Sequence, residues 1–203
     1  MKRKSKKRAQ GKKLSIGESL LLYVHDLAYL VAIMMILFLF IFRVVVVSGD
    51  SMNDTLVDGD YVLLLGNAFY KEPKVGDIVV ASKDSFENGV PIVKRVIAVE
   101  GQTVDIDFAT NTVYVDGKAL DEPYVKDDSH YIYSGERLAF PLVVEEGKLF
   151  VLGDNRKVSC DSRNVLVGLV DKREVLGKAI FLFIPGTNGG TMSRDYDRIG
   201  GMP

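Results

Sequence analysis

Residues 27–42 read LAYLVAIMMILFLFIF, a run of sixteen residues that are all apolar or aromatic. In a helix this run extends about 24 Å, whereas the hydrocarbon core of a bilayer is about 30 Å thick. Apolar residues on both sides, at 20–24 and 44–47, supply the missing length. Arg43 can snorkel to one interface, and His25 and Asp26 can lie at the other. The run therefore predicts a membrane-spanning anchor over residues 20–47.

Two other interpretations of this run remain open. It is compatible with a buried helix of a globular core, or with a cleavable signal peptide whose cleavage site is Val46-Val47-Ser48. The length of the apolar run favours a permanent anchor, as does the motif that follows it at once.

The charge distribution is strongly asymmetric. Residues 1–13 carry eight of the 26 basic residues and no acid, so the rest of the chain has 18 basic against 27 acidic residues. The positive-inside rule then predicts a cytoplasmic tail over residues 1–19, a single-pass anchor in the plasma membrane and an extracytoplasmic domain. An acidic domain argues against nucleic acid as a partner, because such binding requires a basic face. The expected partners are the lipid bilayer and the substrate.

Beyond the anchor, short β-rich runs alternate with turn signals such as Asp58-Gly59, Glu100-Gly101 and Asp116-Gly117. We therefore expect a mostly β, antiparallel domain over residues 48–185, with a less regular excursion at about 119–147. The residues from 186 to 203, rich in glycine and polar side chains, predict a flexible tail. The predicted strands are Tyr61–Leu65, Ile78–Ala81, Ile92–Val99, Thr103–Ile106, Thr112–Val115, Leu149–Leu152 and Ala179–Ile184.

Several kinds of site are disfavoured by the sequence. Cys160 is the single cysteine, and no cluster has metal-ligand spacing, so we expect neither a disulfide within the chain nor a metal or other cofactor. His25 belongs to the anchor region. A Ser-His-Asp triad would therefore depend on His130, and no nucleophile-elbow motif accompanies it.

Three segments contain candidate reactive groups. Ser48–Leu56 follows the anchor and includes Ser51, Pro91–Ile97 includes Lys94, and Phe150–Arg163 contains a GDNR sequence. Taken singly, each is compatible with an ordinary turn or with exposed charges at the edge of a sheet.

Taken together and in this order, they resemble the type I signal peptidases, the serine–lysine leader peptidases of bacteria, in their single-span form. The SMxPTL segment of that family is matched by Ser51–Leu56, its VKRV segment by Val93–Val96 and its GDNRxxSxDSR segment by Gly153–Arg163. Gly76–Val79 and Val115–Tyr124 also resemble family segments. The chain departs from the family pattern at three places, which are Gly49, Asp54 and Glu100-Gly101-Gln102.

The resemblance implies a role for each matched residue. Ser51 would be the nucleophile, Lys94 the general base and Ser159 the group that orients the lysine amine. Because Gly49 replaces a serine that donates to the oxyanion in some relatives, the backbone N–H of Ser51 is left as the surest donor, and a contribution from Ser48 stays open. The residues expected to support the site are Met52, Thr55, Asp154, Asp161 and Arg163, of which the last two would form an ion pair.

Lysine at its ordinary pKa of about 10.4 is protonated near neutral pH, so a lysine base needs a lowered pKa. Burial among apolar side chains lowers it. Strand alternation would place Ile92 and Val96 on the same face as Lys94, and would turn Arg95 to the opposite face, where it can stay hydrated. Ile92 and Val93 are also candidates to line the substrate pocket.

Only eight residues separate Phe42 from Ser51, so the nucleophile must lie near the membrane surface. These features predict a membrane-bound serine endopeptidase that removes signal peptides from exported preproteins at the outer membrane face. It would cut after small residues by a Ser/Lys acyl-enzyme mechanism. Two alternatives remain: a self-cleaving serine–lysine repressor, which would need a DNA-binding head instead of the anchor, and a membrane-anchored binding protein without catalysis.

Overall fold

The structure is a computed structural model that describes residues 15–125, 136–187 and 193–202. The chain divides into an N-terminal unit, residues 1–40, and a β-rich unit, residues 41–203. His130, on which a Ser-His-Asp triad would depend, lies outside the described residues. So do the basic tract 1–13 and residues 126–135 of the expected excursion.

The N-terminal unit contains one long helix, α1 (Ile16–Ile41). Ser15 caps it, because its Oγ accepts from the backbone N–H of Glu18 while the Glu18 carboxylate accepts from the Ser15 N–H. At 26 residues the helix is about 39 Å long. None of its residues is buried, and its length and composition are those of a membrane-spanning helix.

Two antiparallel sheets form the β-rich unit. The larger has the strand order β1-β2-β11-β3-β4-β9-β10, with β12 paired to β11, and the smaller has the order β7-β6-β5-β8. The strands are β1 (Phe42–Val46), β2 (Tyr61–Gly66), β3 (Ile78–Ala81), β4 (Ile92–Val99), β5 (Thr103–Asp107), β6 (Thr112–Val115), β7 (Lys118–Ala119), β8 (Leu142–Val143), β9 (Lys148–Leu152), β10 (Val170–Asp171), β11 (Val175–Ile184) and β12 (Gly200–Gly201).

The mostly β fold is confirmed, and each predicted strand is present. Strand β4 shows why the pattern was informative. Val93 packs against a core cluster that contains Met52 and Leu56, whereas Ile92 and Val96 pack in a different cluster. This alternation follows from the two-residue period of a strand.

Two segments differ from the expectation. The helix ends at Ile41, and residues 42–46 of the expected anchor form β1, in which Phe42 pairs with Leu65 and Val46 with Tyr61. A run of β-branched valines fits a pleated strand better than a helix. In the expected flexible tail, Gly201 pairs with Phe181, and Arg198 forms an ion pair with the buried Asp60.

Candidate active site

Ser51 lies in the loop that joins β1 to β2. The ends of this loop are held together, because Val47 N–H donates to Asp60 O at 2.8 Å and Gly59 N–H donates to Val47 O at 2.9 Å. Met52 is only 1% exposed and packs in the core with Leu56. The burial of Met52 thus anchors the adjacent Ser51, whose own side chain remains partly accessible.

Lys94 is in the middle of β4, where it pairs with Val79 of β3. Its Nζ lies 2.8 Å from Ser51 Oγ and 2.9 Å from the carbonyl oxygen of Val93, and donates to both. The side chain is buried, with 4% of the residue exposed. The structure therefore brings the two predicted reacting groups into direct contact.

The electrostatic environment of Lys94 favours its neutral form. Burial lowers the pKa of the amine, and the nearby Arg163 charge acts in the same direction, while Asp161 partly opposes them. Among the described residues no carboxylate lies within ion-pair distance of Lys94. A lysine base requires this direction of shift.

The loop after β9 holds the Ser51 loop from the other side. Asn155 N–H donates to Ser51 O at 3.0 Å, and its Nδ2 donates to Asp50 O at 3.0 Å. Gly153 is in such close contact that a Cβ there would stand 2.4 Å from Ser51 O and 2.3 Å from Ser159 Oγ. Only glycine fits, and the GDN sequence therefore packs directly on the Ser51 main chain.

Asp154 connects three parts of the site. Its carboxylate accepts from Thr55 Oγ1 at 2.6 Å, from Arg95 Nε at 2.8 Å and from Arg95 Nη2 at 2.7 Å. The prediction that Arg95 stays hydrated is wrong, since it is 3% exposed and its guanidinium lies 4.0 Å from the centre of the Tyr124 ring. The face opposite Lys94 is covered by the rest of the domain, and Asp154 neutralises the charge there.

The expected ion pair of Asp161 and Arg163 is present. Arg163 Nε and Nη2 donate to the two carboxylate oxygens, each at 2.8 Å, and Nη2 also donates to Arg156 O at 3.0 Å. Burial, the largest influence, raises the pKa of Asp161, but the Arg163 charge and the Gly153 N–H together hold it below its usual value. The pair closes the loop that contains Ser159.

Ser159 is buried, but the predicted hydrogen bond between its hydroxyl and the Lys94 amine is not formed. The amine donates to Ser51 Oγ and Val93 O instead. The Ser159 hydroxyl makes no hydrogen bond of good geometry with a described residue, but it lies near the Asp161 carboxylate and helps to lower the pKa of that group. It lies beside Gly153, close to the Ser51 carbonyl oxygen. Its orienting role stays a prediction.

The backbone N–H of Ser51 makes no hydrogen bond with any other described residue, whereas that of Gly49 donates to Asp58 Oδ1 at 2.8 Å. The N–H of Ser51 is thus available to a ligand and that of Gly49 is occupied. Ser48 lines the cavity beside the nucleophile.

That cavity has a volume of about 480 Å³. Both predicted pocket residues, Ile92 and Val93, line it, and Lys94 is its one charged group among the described residues. The remaining walls are mostly aliphatic: Val45, Val46, Val47, Met52, Val80, Val90 and Pro91. The cavity thus presents an apolar surface directly beside the Ser51–Lys94 pair.

Sequence reasoning missed the support provided by Arg95, Tyr124 and the pair of Glu122 with Arg156. Arg156 donates to both Glu122 oxygens and, through Nε, to Gly153 O at 3.0 Å. The signal in the sequence was Arg95, a charged residue inside the apolar strand β4. A buried guanidinium requires a carboxylate partner elsewhere in the chain.

Comparison with known proteins gives the same family throughout. Residues 20–184 match the family described as signal peptidase, peptidase S26. Signal peptidase I of Bacillus licheniformis is 38% identical over 172 residues, which cover 82% of this chain and 90% of that protein. Signal peptidase I S of Bacillus subtilis (strain 168) is 35% identical over 180 residues, covering 85% and 93%.

A solved signal peptidase I structure from Enterococcus faecalis V583 is 33% identical, covers 53% of this chain and 97% of its own, and has a TM-score of 0.43. The family match and one apolar helix among the described residues indicate a single-pass membrane protein. On the family match and these identities, the chain belongs to the signal peptidases of family S26, serine endopeptidases that remove signal peptides from preproteins.

Proposed function

We propose that the chain cleaves signal peptides through an acyl-enzyme intermediate in which Ser51 is the nucleophile and Lys94 the general base. The observation that carries this proposal is the 2.8 Å contact between Lys94 Nζ and Ser51 Oγ at the wall of an apolar cavity. A serine hydroxyl becomes a competent nucleophile when an adjacent base takes its proton.

The reaction follows from this geometry. Neutral Lys94 accepts the Ser51 proton while Oγ bonds to the scissile carbonyl carbon, and the free N–H of Ser51 donates to the developing oxyanion. The C–N bond then breaks, and the leaving amine takes the proton from Lys94. A water molecule then gives a proton to the same lysine while its oxygen attacks the ester carbonyl. The bond between that carbon and Oγ breaks, Ser51 Oγ takes the proton back from Lys94, and the signal peptide leaves with a free carboxyl group.

The neighbouring residues act by positioning this pair. Asp161 and Arg163 hold the loop that carries Ser159, and the Arg163 charge also disfavours the ammonium form of Lys94. Met52, Thr55 and Asp154 fix the Ser51 loop through burial and hydrogen bonds. Ser159 orients the Lys94 amine during the reaction through a hydroxyl that is buried in the same loop.

The aliphatic cavity supports a preference for uncharged residues, alanine among them, before the cleaved bond. Its walls, which include Val47, Ile92 and Val93, offer van der Waals contacts and leave a charged side chain without a partner. An alanine-like residue can be accommodated there at no cost in polar desolvation. Ile92 and Val93 therefore contribute to substrate selection.

The placement of the enzyme in the cell follows from its sequence. Residues 1–19, with their basic tract, lie in the cytoplasm, and the apolar helix that ends at Ile41 is the membrane anchor. The peptidase domain, which includes β1 and the C-terminal segment 193–202, works on the outer face. The short connection from Phe42 to Ser51 keeps the nucleophile near the bilayer, where the end of a membrane-inserted signal peptide emerges.

The proposal is tested with purified full-length protein in detergent and a preprotein that carries one Ala-x-Ala site. We expect a single cut, with the product's new N-terminus directly after the second alanine. Ser51→Ala and Lys94→Ala should each abolish the product while their circular dichroism spectra match the unaltered protein. A product from either folded variant at the normal rate contradicts the proposed pair.

A further inference from the structure

The C-terminal segment 193–202 packs against the domain that holds the active site. Its strand β12 pairs with β11, and Met202 N–H donates to Ile180 O at 2.9 Å. The Met202 side chain packs against the core cluster that contains Met52 and Leu56. The segment thus contributes to the layer directly beneath the nucleophile loop.

Arg198 connects this segment to the loop by polar contacts. Its Nη1 and Nη2 donate to the two oxygens of Asp60 at 3.0 and 2.6 Å, and Nη2 also donates to Thr55 O at 3.1 Å. Asp60 is completely buried. A buried carboxylate requires a paired charge, so the position of Asp60 depends on the Arg198 guanidinium.

Asp60 in turn fixes the main chain of the loop. Its Oδ2 accepts from Val57 N–H at 2.8 Å and its Oδ1 from Gly186 N–H at 2.6 Å. Gly186 fits so tightly that a Cβ there would stand 2.0 Å from Asp58 O. The loop, the end of β11 and the C-terminal segment therefore meet at one carboxylate.

Thr55 is held from two directions. Arg198 binds its carbonyl oxygen, while Asp154, which Arg95 also binds, accepts from its hydroxyl. Ser51 lies four residues earlier in the same loop, against Lys94 on β4. A change at Arg198 can therefore alter the distance between Ser51 Oγ and Lys94 Nζ without contact with either group.

We infer that Arg198 is a positioning residue that, through Asp60 and Thr55, keeps Ser51 at hydrogen-bonding distance from Lys94. The inference rests on the proposed Ser51–Lys94 mechanism and adds a role for the C-terminal segment in it. Positioning affects the chemical step more than substrate binding, because most of the residues that line the apolar cavity lie outside the nucleophile loop, on β1, β3 and β4 and just before β4.

The test compares Arg198→Met with Arg194→Met in the full-length protein. Arg194 lies in the same segment and donates to Pro185 O, outside the nucleophile loop, so it controls for loss of one positive charge. For Arg198→Met we expect kcat to fall at least about tenfold, since small misplacements of reacting groups are costly, with KM within about twofold. Arg194→Met should keep the normal kcat.

A pH profile separates positioning from a structural role. If the loop moves, water reaches Lys94, its pKa rises toward the ordinary lysine value, and the midpoint of the kcat/KM profile moves to higher pH. Arg194→Met should not shift the midpoint. Arg198→Lys, which keeps a positive charge but lacks the planar two-pronged geometry, should lie between the other two variants.

Equal kcat and equal pH midpoints for Arg198→Met and Arg194→Met overturn the inference. If Arg198→Met does not fold, Arg198→Lys provides the test. A kcat and a pH midpoint equal to those of the unaltered protein in Arg198→Lys would overturn the inference as well. The proposed mechanism fails separately, when Ser51→Ala or Lys94→Ala keeps its activity. Inactive Ser51→Ala and Lys94→Ala beside a fully active Arg198→Met would refute only the positioning role.

Discussion

Arg95 donates two hydrogen bonds to the carboxylate of Asp154, at 2.8 and 2.7 Å, and both side chains are buried. Lys94 immediately precedes Arg95 in the chain. Its amine faces Ser51 and has no ion-pair partner among the described residues. Adjacent basic residues of β4 thus have opposite environments. One charge is neutralised and helps to hold the loop, and the other is disfavoured and becomes a base.

Arg95→Met should destabilise the domain strongly. The substitution leaves Asp154 as a buried charge without its main partner, and removing one member of a buried ion pair costs about 3–5 kcal/mol. The matched control is Arg173→Met, because Arg173 also forms a two-pronged pair, with Asp171, but is 90% exposed. Urea unfolding followed by circular dichroism should show a large loss for the first variant and little change for the second. Equal losses would contradict the account of this pair.

Lys94→Met should remove activity and yet increase stability. Burial lowers the pKa of Lys94 in the folded state, so the unfolded chain binds more protons between that pKa and the ordinary value of about 10.4. Stability of the unaltered protein therefore rises with pH across this window. The advantage of Lys94→Met should be largest at neutral pH and shrink toward about pH 10, as measured by thermal unfolding.

The control for that variant is Lys83→Met. Burial lowers the pKa of Lys83 too, but Lys83 Nζ donates to two backbone carbonyl oxygens, those of Val167 and Leu169, at 2.5 and 2.8 Å. Its loss leaves two backbone acceptors without a donor, whereas the loss of Lys94 leaves one, Val93 O, beside a Ser51 hydroxyl that is partly accessible to water. Lys83→Met should therefore lower the Tm. A lower Tm for Lys94→Met at neutral pH would mean that the Lys94 ammonium stabilises the fold, contrary to this account.

The sequence predicted the strands well, because alternation in runs such as Ile92–Val99 and the turns between them depend only on local residues. The contact between Ser51 and Lys94 agrees with the pair predicted from the three segments that resemble signal peptidase motifs. Other features depend on distant parts of the chain. The burial of Arg95 requires Asp154, 59 residues away, and the packing of segment 193–202 requires Arg198 to reach Asp60, 138 residues away.

Strand β1 was missed for a different reason. Its valines continue an apolar run that already indicated a helix, and hydropathy alone does not separate a strand from the end of an anchor. Only the pairing with β2 distinguishes the two.

Ser159→Ala should lower kcat by about tenfold or more, within the contribution that general-base catalysis makes, while leaving the Tm unchanged or higher. The buried hydroxyl makes no hydrogen bond of good geometry with a described residue, and the nearby Asp161 carboxylate keeps its bonds from Gly153 and Arg163 in the variant. Ser162→Ala is the matched control, since Ser162 Oγ accepts from Val151 N–H at 3.0 Å and its loss costs about 1–3 kcal/mol of stability. Normal kcat in Ser159→Ala would exclude an orienting role.

Gly153→Ala should reduce kcat by about 100-fold or more per folded molecule, because the new Cβ must displace the Ser51 main chain. Gly177→Ala is equally crowded, with a Cβ 2.4 Å from Leu65 O, but lies in β11 outside the nucleophile loop. Both variants should unfold at lower urea concentrations. Only Gly153→Ala should be slow when rates are corrected for the folded fraction, and equal corrected rates would contradict the proposed contact.

The central claim, that Lys94 is the base for Ser51, is tested most directly by the pH dependence of kcat/KM for one Ala-x-Ala preprotein between about pH 6 and about pH 9. The neutral amine increases as pH rises through the lowered pKa of Lys94, so the rate should rise with pH and level off below the ordinary lysine value of about 10.4. Lys94→Ala should give no product at any pH. A flat profile for the unaltered protein, or full activity in folded Lys94→Ala, would contradict the claim.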